Sequence, residues 1–219
     1  MRTRLFHASQ RRPARAMTGR WPRQAIAVDS FNRADSGTVG ASELVGWEAG
    51  VEAARTWAED NGTWAIASNK CVLQDGTLGR NLFDHGTADV WLEAVLQTDE
   101  TSSAQGFSVR HDDGDNEWRA VLVPTGTNRL RLAKVVATVL TLVLDITVSV
   151  AVDTDYLLTC IARGSNWYLS LRNPTTGVVL ASGRAVDSFN STFTTHGLLG
   201  NVSSPSATQY DRYLARHAY

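Results

Sequence analysis

Apolar and polar side chains alternate along the chain from about residue 25 onward. The clearest case lies at residues 88–97, where the apolar positions are Val90, Leu92, Ala94 and Leu96. The segments 105–111, 117–123, 129–134, 156–163 and 166–172 repeat this pattern. Because successive side chains of a strand point to opposite faces, a period of two predicts half-buried β-strands with one face in a core.

Short segments rich in Gly, Asn and Asp separate these strands, as at 61–62, 75–76 and 113–114. Many short strands divided by such turns are typical of an all-β sandwich or jelly roll, and no long amphipathic helix interrupts them. The sequence therefore predicts two antiparallel sheets with about ten strands or more. We expect their core to contain Phe31, Leu92, Phe107, Trp118, Leu158, Trp167 and Leu169.

The same alternation bears on the other tryptophans and on the cysteines. Trp47, Trp57 and Trp64 are expected to fill the core and the space between strands. Cys71 and Cys160 lie in separate strand-like segments, and the chain has no dense cysteine framework. Two buried free thiols are therefore favoured over a disulfide.

Composition places the chain among globular proteins. It has 219 residues, of which 43% are hydrophobic and 20% charged. These values are ordinary for a soluble domain with its own core. No apolar segment approaches the roughly 20 residues that cross a bilayer, so we expect no membrane partner.

The net charge of −1 conceals a strong asymmetry. Residues 1–24 contain seven arginines and no acid, which leaves 14 basic and 22 acidic residues for the remainder. This predicts a basic extended arm at 1–24 and a jelly-roll domain at 25–219. No apolar stretch follows the arginines, so a secretory signal is not expected, although an organelle transit peptide stays an alternative.

The arm is predicted to anchor the protein in an assembly. Its expected contacts are made by Arg11, Arg12, Arg15, Arg20, Trp21 and Arg23. Arginine pairs with carboxylates in a bidentate geometry, and Trp and Arg are enriched at interface hot spots. The acidic body would repel DNA, so an acidic protein is the expected partner and no specific nucleic-acid binding is expected.

The order of motifs resembles the concanavalin A-like (laminin G-like) jelly-roll domains. The resemblance rests on residues 29–33 (DSFNR), 46–47 (GW), 62–69 (GTWAIASN), 106–110 (GFSVR), 116–118 (NEW), 153–157 (DTDYL) and 197–200 (GLLG), together with Gly164, Trp167 and 207–213 (ATQYDRY). It covers roughly residues 25–216 and implies a fold, not an activity. Domains of this kind occur in structural proteins of bacteriophages and in secreted bacterial proteins.

The sequence argues against an enzyme. Glycoside hydrolysis needs two carboxyl groups about 5–9.5 Å apart. The nearest pair on one predicted face is Asp89 and Glu93, about 13 Å apart along an extended strand. The nucleophile-elbow, phosphate-loop and paired-histidine motifs are absent from the sequence.

Two acidic groups are candidates for structural calcium, which prefers hard oxygen ligands. The first lies in the turn at 111–117 and includes Asp113 and Asp115; the second pairs Asp29 with Asp211 across the predicted terminal strands. The alternative for both is hydrogen bonding within turns and strands.

A glycan site would need exposed aromatic rings flanked by polar groups. The candidates on the non-core positions of their strands are Trp91, Glu93, Arg110, Arg119, Tyr168 and Arg172. If their strands share one sheet, these side chains form a groove. The alternative is that Trp91 packs against a loop or another subunit.

Together these observations predict a non-enzymatic structural component of a bacteriophage virion, assembled in the bacterial cytoplasm. A minor tail protein or a capsid decoration protein is expected, in contact with other virion proteins and with further copies of itself, and a cell-surface glycan is a candidate ligand. The alternative is a carbohydrate-binding module that bacteria secrete or display on their surface.

Overall fold

The structure is a computed structural model that describes residues 25–43, 54–76, 78–98, 104–124, 126–201 and 208–219. These residues form fifteen β-strands and contain no helix. The strands are β1 Ala25–Asp29, β2 Ala58–Asp60, β3 Thr63–Ala67, β4 Lys70–Asp75, β5 Gly79–Asp84, β6 Val90–Thr98, β7 Ala104–Asp113, β8 Asn116–Val123, β9 Arg129–Val136, β10 Val139–Thr147, β11 Thr154–Arg163, β12 Asn166–Arg172, β13 Val179–Val186, β14 Thr195–Asn201 and β15 Thr208–His217.

The strands form two antiparallel sheets that pack face to face. The eight-stranded sheet has the order β13-β12-β11-β6-β15-β4-β3, with β1 also paired to β15. The seven-stranded sheet has the order β10-β9-β8-β7-β14-β5-β2. The predicted jelly-roll architecture of at least ten strands is therefore confirmed, and the predicted strand at 166–172 has the same limits as β12.

The core lies between the sheets and contains all seven side chains that alternation predicted. Each of them is at most 2% exposed. Trp57 and Trp64 are also buried, and Trp47 lies outside the described residues. Trp118 of one sheet packs against Trp167 of the other, with ring centroids 4.4 Å apart. Apolar burial from both sheets is the main force that holds such a sandwich together.

The last strand, β15, also connects the sheets through hydrogen bonds. The Tyr210 hydroxyl accepts a bond from the Gly106 amide at 2.7 Å and donates to the Leu199 carbonyl. The Tyr213 hydroxyl lies 2.9 Å from Nε2 of His85. A tyrosine buried in a core needs such a partner, and here the partners lie in the opposite sheet or directly after one of its strands.

Cys71 and Cys160 are free and buried, as predicted. Burial raises the pKa of Cys160 to about 12, so its thiol stays protonated at neutral pH.

The predicted arm at 1–24 lies outside the described residues, and the division of the chain at residue 24 stays a prediction. Within the residues that the structure describes, no helix has the length and apolar character needed to cross a membrane.

Candidate functional site

The outer face of the eight-stranded sheet carries a row of side chains that runs across five strands. Register places Arg184 opposite Tyr168, Tyr168 opposite Ile161, Ile161 opposite Trp91, and Trp91 opposite Arg216. These positions alternate with core residues such as Leu92, Cys160 and Leu169, so the row points away from the core. Trp91 and Tyr168 are half-buried. The sequence therefore assigned both aromatic candidates to the same face correctly.

A groove of about 560 Å³ lies at the β13 end of this row. We call it the Tyr168 groove; its principal lining residues are Ile161, Arg163, Asn166, Tyr168, Arg184 and Val186. The volume is in the range of small-molecule and sugar sites. The guanidinium carbon of Arg184 lies 5.9 Å from the centroid of the Tyr168 ring. The groove thus combines the half-buried ring of Tyr168, beside the buried Trp167, with two exposed guanidinium groups and one amide.

The turn between β11 and β12 forms one rim of the groove, and a buried arginine supports it from behind. Asp89 accepts a hydrogen bond from the Gly164 amide at 2.7 Å, which fixes this turn. Arg110 contacts the same carboxylate at 3.4 Å and places its guanidinium 4.9 Å from the Trp167 ring centroid. Burial lowers the pKa of Arg110, and the charge of Asp89 opposes that effect. The rim is therefore anchored in the core.

Arg110 is consequently not an exposed glycan contact, and its predicted position was wrong. Its side chain is 0% exposed. The pairing of β7 with β14 shifts by one residue between Ser108 and His111, and Arg110 has a φ of 50°. A bulge of this kind adds one residue to a strand and reverses the alternation locally, so the side chain turns inward.

Arg119 is also separated from the groove, because β8 belongs to the seven-stranded sheet. Its Nε donates to Glu117 at 2.6 Å. The condition that all six glycan candidates share one sheet is therefore not met. Sequence alternation gives the face of a strand but not the sheet to which the strand belongs, since that depends on distant pairing.

Glu93 and Arg172 share the outer face with Trp91 and Tyr168 but lie in neighbouring rows, outside the groove lining. Glu93 accepts a bond of 3.4 Å from the Thr159 hydroxyl. Asp89, which was predicted to lie too far from Glu93 for joint catalysis, precedes β6 and binds Gly164 and Arg110.

Three lining residues were missed from the sequence: Arg163, Asn166 and Arg184. Arg163 and Asn166 were predicted at the facing ends of the strands 156–163 and 166–172 and were not considered as ligand contacts, although both line the groove. Arg184 lies in β13, which the sequence analysis did not identify as a strand. Alternation of Ala181, Gly183 and Ala185 with polar neighbours was the signal that could have revealed it.

The outer face of the seven-stranded sheet has a different chemistry. Glu117 is 0% exposed and accepts bonds from Arg80 at 2.8 and 2.9 Å, from Arg119 and from the Ser108 hydroxyl. Burial opposes the charged form of Glu117, but the bond from Arg80 and the charges of Arg119 and Arg80 outweigh it and lower its pKa. We call these four residues the Glu117 network.

A second groove of about 230 Å³ lies on the same face. We call it the Leu140 groove; its apolar lining includes Val121, Val123, Ala133, Leu140, Leu142 and Leu199. Its two arginines are already paired, Arg119 with Glu117 and Arg131 with Asp145 at 3.0 Å. This groove offers apolar contact rather than charged hydrogen-bond donors.

In each of the two calcium candidates, one aspartate is bound by protein donors. Asp29 is fully buried and accepts bonds from Arg33, from the Trp57 indole and from the Phe31 amide. Asp211, its suggested partner, is exposed on β15.

Protein donors also bind the carboxylate of Asp113 in the turn at 111–117. Asp113 accepts bonds from the Asp115 amide and from Asn116, both at 2.9 Å, as expected for an acidic turn. In the described part of the chain, no group of three or more His, Cys, Asp or Glu side chains is arranged to hold a metal ion.

Comparisons with known proteins agree on the fold. No family model and no curated protein matches the sequence. Among solved structures, the carbohydrate-binding module CBM66 from Bacillus subtilis is 15% identical, with 74% of this chain and 92% of that one covered and a TM-score of 0.50. The CBM2 module of the evolved Dit of Lactobacillus casei BL23 phage J-1 is 9% identical, with coverage of 90% and 96% and a TM-score of 0.55.

A third similar structure is the xylan β-1,4-xylosidase from Bacillus halodurans C-125, which is 11% identical with a TM-score of 0.59. The match covers 91% of this chain but only 40% of that enzyme. At these identities the similarity establishes architecture and not activity. The chain has the concanavalin A-like jelly-roll fold of two antiparallel sheets that its motifs predicted.

Proposed function

We propose that the protein is a non-enzymatic carbohydrate-binding module whose Tyr168 groove binds an acidic glycan. The observation that carries this proposal is the combination of Tyr168 with Arg163, Arg184 and Asn166 in one groove. An aromatic ring packs against the apolar C–H face of a sugar, and the amide binds hydroxyl groups. The planar guanidinium group of arginine suits a carboxylate, because it donates two parallel bonds.

The charge of the groove favours a glycan with uronic acid groups over a neutral one. Its lining residues include two arginines and no carboxylate. Both arginines are exposed, so they can meet a ligand without first losing a buried partner. The same lack of carboxylates argues for binding without hydrolysis, since glycoside cleavage needs an acid pair at the bond. The carbohydrate-binding modules among the similar structures support this reading.

Isothermal titration calorimetry tests the proposal with an oligogalacturonide and a neutral xylo-oligosaccharide of equal length. We expect the acidic ligand to bind more tightly. Tyr168→Ala should weaken it at least tenfold, which corresponds to about 1.4 kcal/mol. Arg184→Gln should weaken the acidic ligand more than the neutral one.

Arg212→Gln is the matched control, because Arg212 is exposed on the same sheet but outside the groove lining. It removes the same charge and should leave the affinity unchanged. Failure of Tyr168→Ala to weaken either ligand would contradict the site. A neutral ligand that binds as tightly as the acidic one would contradict only the proposed specificity.

For the biological setting, we propose a bacteriophage virion, in a minor tail or capsid-surface position, assembled in the bacterial cytoplasm. Two observations support it: the similarity to the phage J-1 Dit module over 90% of this chain, and the seven arginines of residues 1–24, which suit an anchor on an acidic neighbour. A secreted or surface-attached bacterial module is the alternative.

Mass spectrometry of purified particles from the source separates these settings, because only a virion component stays with the particle. Deleting residues 1–24 should abolish incorporation while the melting temperature of the body stays nearly constant. A truncated protein that is incorporated at the wild-type level would contradict the anchor. Loss of the fold together with the arm would also contradict it.

A further inference from the structure

The edge strands of the two sheets differ in how they are protected. An exposed edge has unpaired backbone N–H and C=O groups that can pair with another chain, and natural sheets limit this with short, charged or covered edges. β2 has three residues, of which Glu59 and Asp60 are acidic. β3 is covered, because Ser36 and Ile66 exchange two backbone hydrogen bonds of 2.9 Å.

β10 has none of these protections in its first half. It is nine residues long and pairs only with β9 among the described strands. It contains no Pro, Lys or Arg. Val139, Leu140 and Leu142 are 63%, 50% and 45% exposed, which is unusual for three large apolar side chains within four residues. This half of β10 is therefore an open apolar edge.

The second half of β10 is engaged within the chain. The register with β9 shifts between Leu142 and Leu144, which marks a bulge. Beyond it, Leu144 and Ile146 pack on β13 so closely that a Cβ atom added to Gly183 would lie 2.7 Å from Cδ1 of Ile146. The bulge therefore separates an open segment, 139–142, from a packed one.

The open segment continues into the Leu140 groove. Leu140 and Leu142 alternate along β10, and both line that groove beside Val121, Ala133 and Leu199. A partner paired to the edge would therefore gain backbone hydrogen bonds and apolar burial together.

The charges near this segment favour a second copy of the chain over a charged peptide. Asp145 is the one charged residue of β10, and Arg131 binds it at 3.0 Å. Arg119, the other arginine of the groove, is paired with the buried Glu117. A charged peptide would find no unpaired opposite charge in this lining, whereas two identical copies could approach without repulsion between like charges.

We propose that two copies of the protein form a dimer through segment 139–142 of β10, about a two-fold axis at Thr141. In this arrangement the strands pair antiparallel, and Leu140 lies opposite Leu142 of the partner subunit. Both leucines stay on the groove side of the sheet, since paired residues of antiparallel strands share a face. The interface is the same patch on both copies, so it closes at two subunits.

Sedimentation velocity of the full chain over a wide concentration range tests this inference. We expect a dimer that dissociates on dilution. Leu140→Lys together with Leu142→Lys should raise the dissociation constant at least tenfold. Val152→Lys together with Val178→Lys is the matched control, because both residues are exposed valines in turns outside β10. It should leave the dimer intact, and near-UV circular dichroism should show that both variants are folded.

A crosslink gives an independent measurement. Thr141→Cys would lie on the proposed axis, where directly opposed Cβ atoms approach the separation of a disulfide. Oxidation should produce a covalent dimer, whereas Val178→Cys should stay monomeric. A wild-type chain that is monomeric at every concentration would overturn the proposal. So would larger open-ended assemblies, or a leucine-to-lysine double variant that dimerises like the wild type.

Discussion

The two outer faces of this sandwich are built from the same alternating pattern, but their polar side chains differ in exposure and in partners. On the eight-stranded sheet, Tyr168 is half-buried and Arg184 is exposed, so both can meet a ligand. On the seven-stranded sheet, Glu117 is fully buried among Arg80, Arg119 and Ser108. The first face keeps its donors available, and the second uses its charges to hold the sheet. A polar residue at an outward position is therefore not by itself evidence of a binding site.

The largest expected effect on the free energy of unfolding comes from removing one carboxylate from each face and comparing the two losses. Glu117→Gln leaves Arg80 buried with one charge partner fewer, and removal of one member of a buried ion pair costs about 3–5 kcal/mol. Glu93→Gln is the matched change on the other face. There, Glu93 is half-exposed and accepts one long bond, so we expect a change within about 0.5 kcal/mol. Urea unfolding, with the midpoint and slope compared, measures both. Equal effects would contradict the assigned difference between the faces.

A change of pH tests the interior that lies between the faces. Nδ1 of His196 accepts the Arg110 amide at 2.8 Å, and its Nε2–H donates to the Thr87 carbonyl at 2.9 Å, so the ring is neutral. Burial lowers the pKa of His196 to about 4. Burial lowers the pKa of His85, and protonation of the adjacent His196 would lower it further. Burial also lowers the pKa of His111.

The sign follows from the unfolded state, in which a histidine has a pKa of about 6.5. Below that pH the unfolded chain binds protons that the folded chain does not, so stability falls. At pH 5.5 the loss is about 1.4 kcal/mol for His196, and the lowered pKa values of His85 and His111 add to it in the same direction. We expect the free energy of unfolding to be lower at pH 5.5 than at pH 7.5, and His217→Gln, which leaves all three buried rings in place, to keep most of the difference. Equal stability at the two pH values would be inconsistent with neutral buried rings.

The turns next to the two faces provide a smaller test. The turn between β12 and β13 places Gly177 at a φ of 72°, whereas the turn between β9 and β10 places Ala137 and Thr138 at 47° and 71°. A β-branched residue is strained there, and Asn-Gly is the preferred pair. Ala137→Asn with Thr138→Gly should raise the free energy of unfolding by about 1 kcal/mol. Thr176→Gly, at a turn position without positive φ, should lower it. If both variants changed the free energy of unfolding in the same direction, the strain assigned to Ala137 and Thr138 would be contradicted.

The sequence predicted the local features of the fold well, because local geometry determines them. Alternation gave β12 its limits and placed Leu92, Trp118 and Leu169 in the core. It also placed Trp91 and Tyr168 on the same outer face, since two successive pairings through β11 preserve that face.

The order of the strands and the positions of several site residues could not be predicted, because they depend on pairing between distant segments. Nothing local shows that β14 inserts between β5 and β7, or that Arg119 therefore lies in a different sheet from Tyr168. Arg110 was misplaced because a single bulged residue reverses the faces, and two of its partners, Asp89 and Trp167, come from other strands and turns. Arg163 and Asn166 lie at the ends of β11 and β12, and their position in one groove with Arg184 is a property of the folded sheet.

The smallest expected effect on stability distinguishes a binding residue from a structural one. Arg184 is exposed, and its guanidinium contact with Tyr168 at 5.9 Å contributes about 0.5 kcal/mol at a solvated site. Arg184→Ala should therefore leave the free energy of unfolding almost unchanged while the affinity for the acidic oligosaccharide falls. Arg80→Ala, on the opposite face, should lower the free energy of unfolding far more, because it leaves Glu117 buried with fewer partners. Urea unfolding and calorimetric titration of the same two samples separate the effects. A loss of several kcal/mol with Arg184→Ala would show that the Tyr168 groove is part of the structural framework, and the distinction between the two faces would then fail.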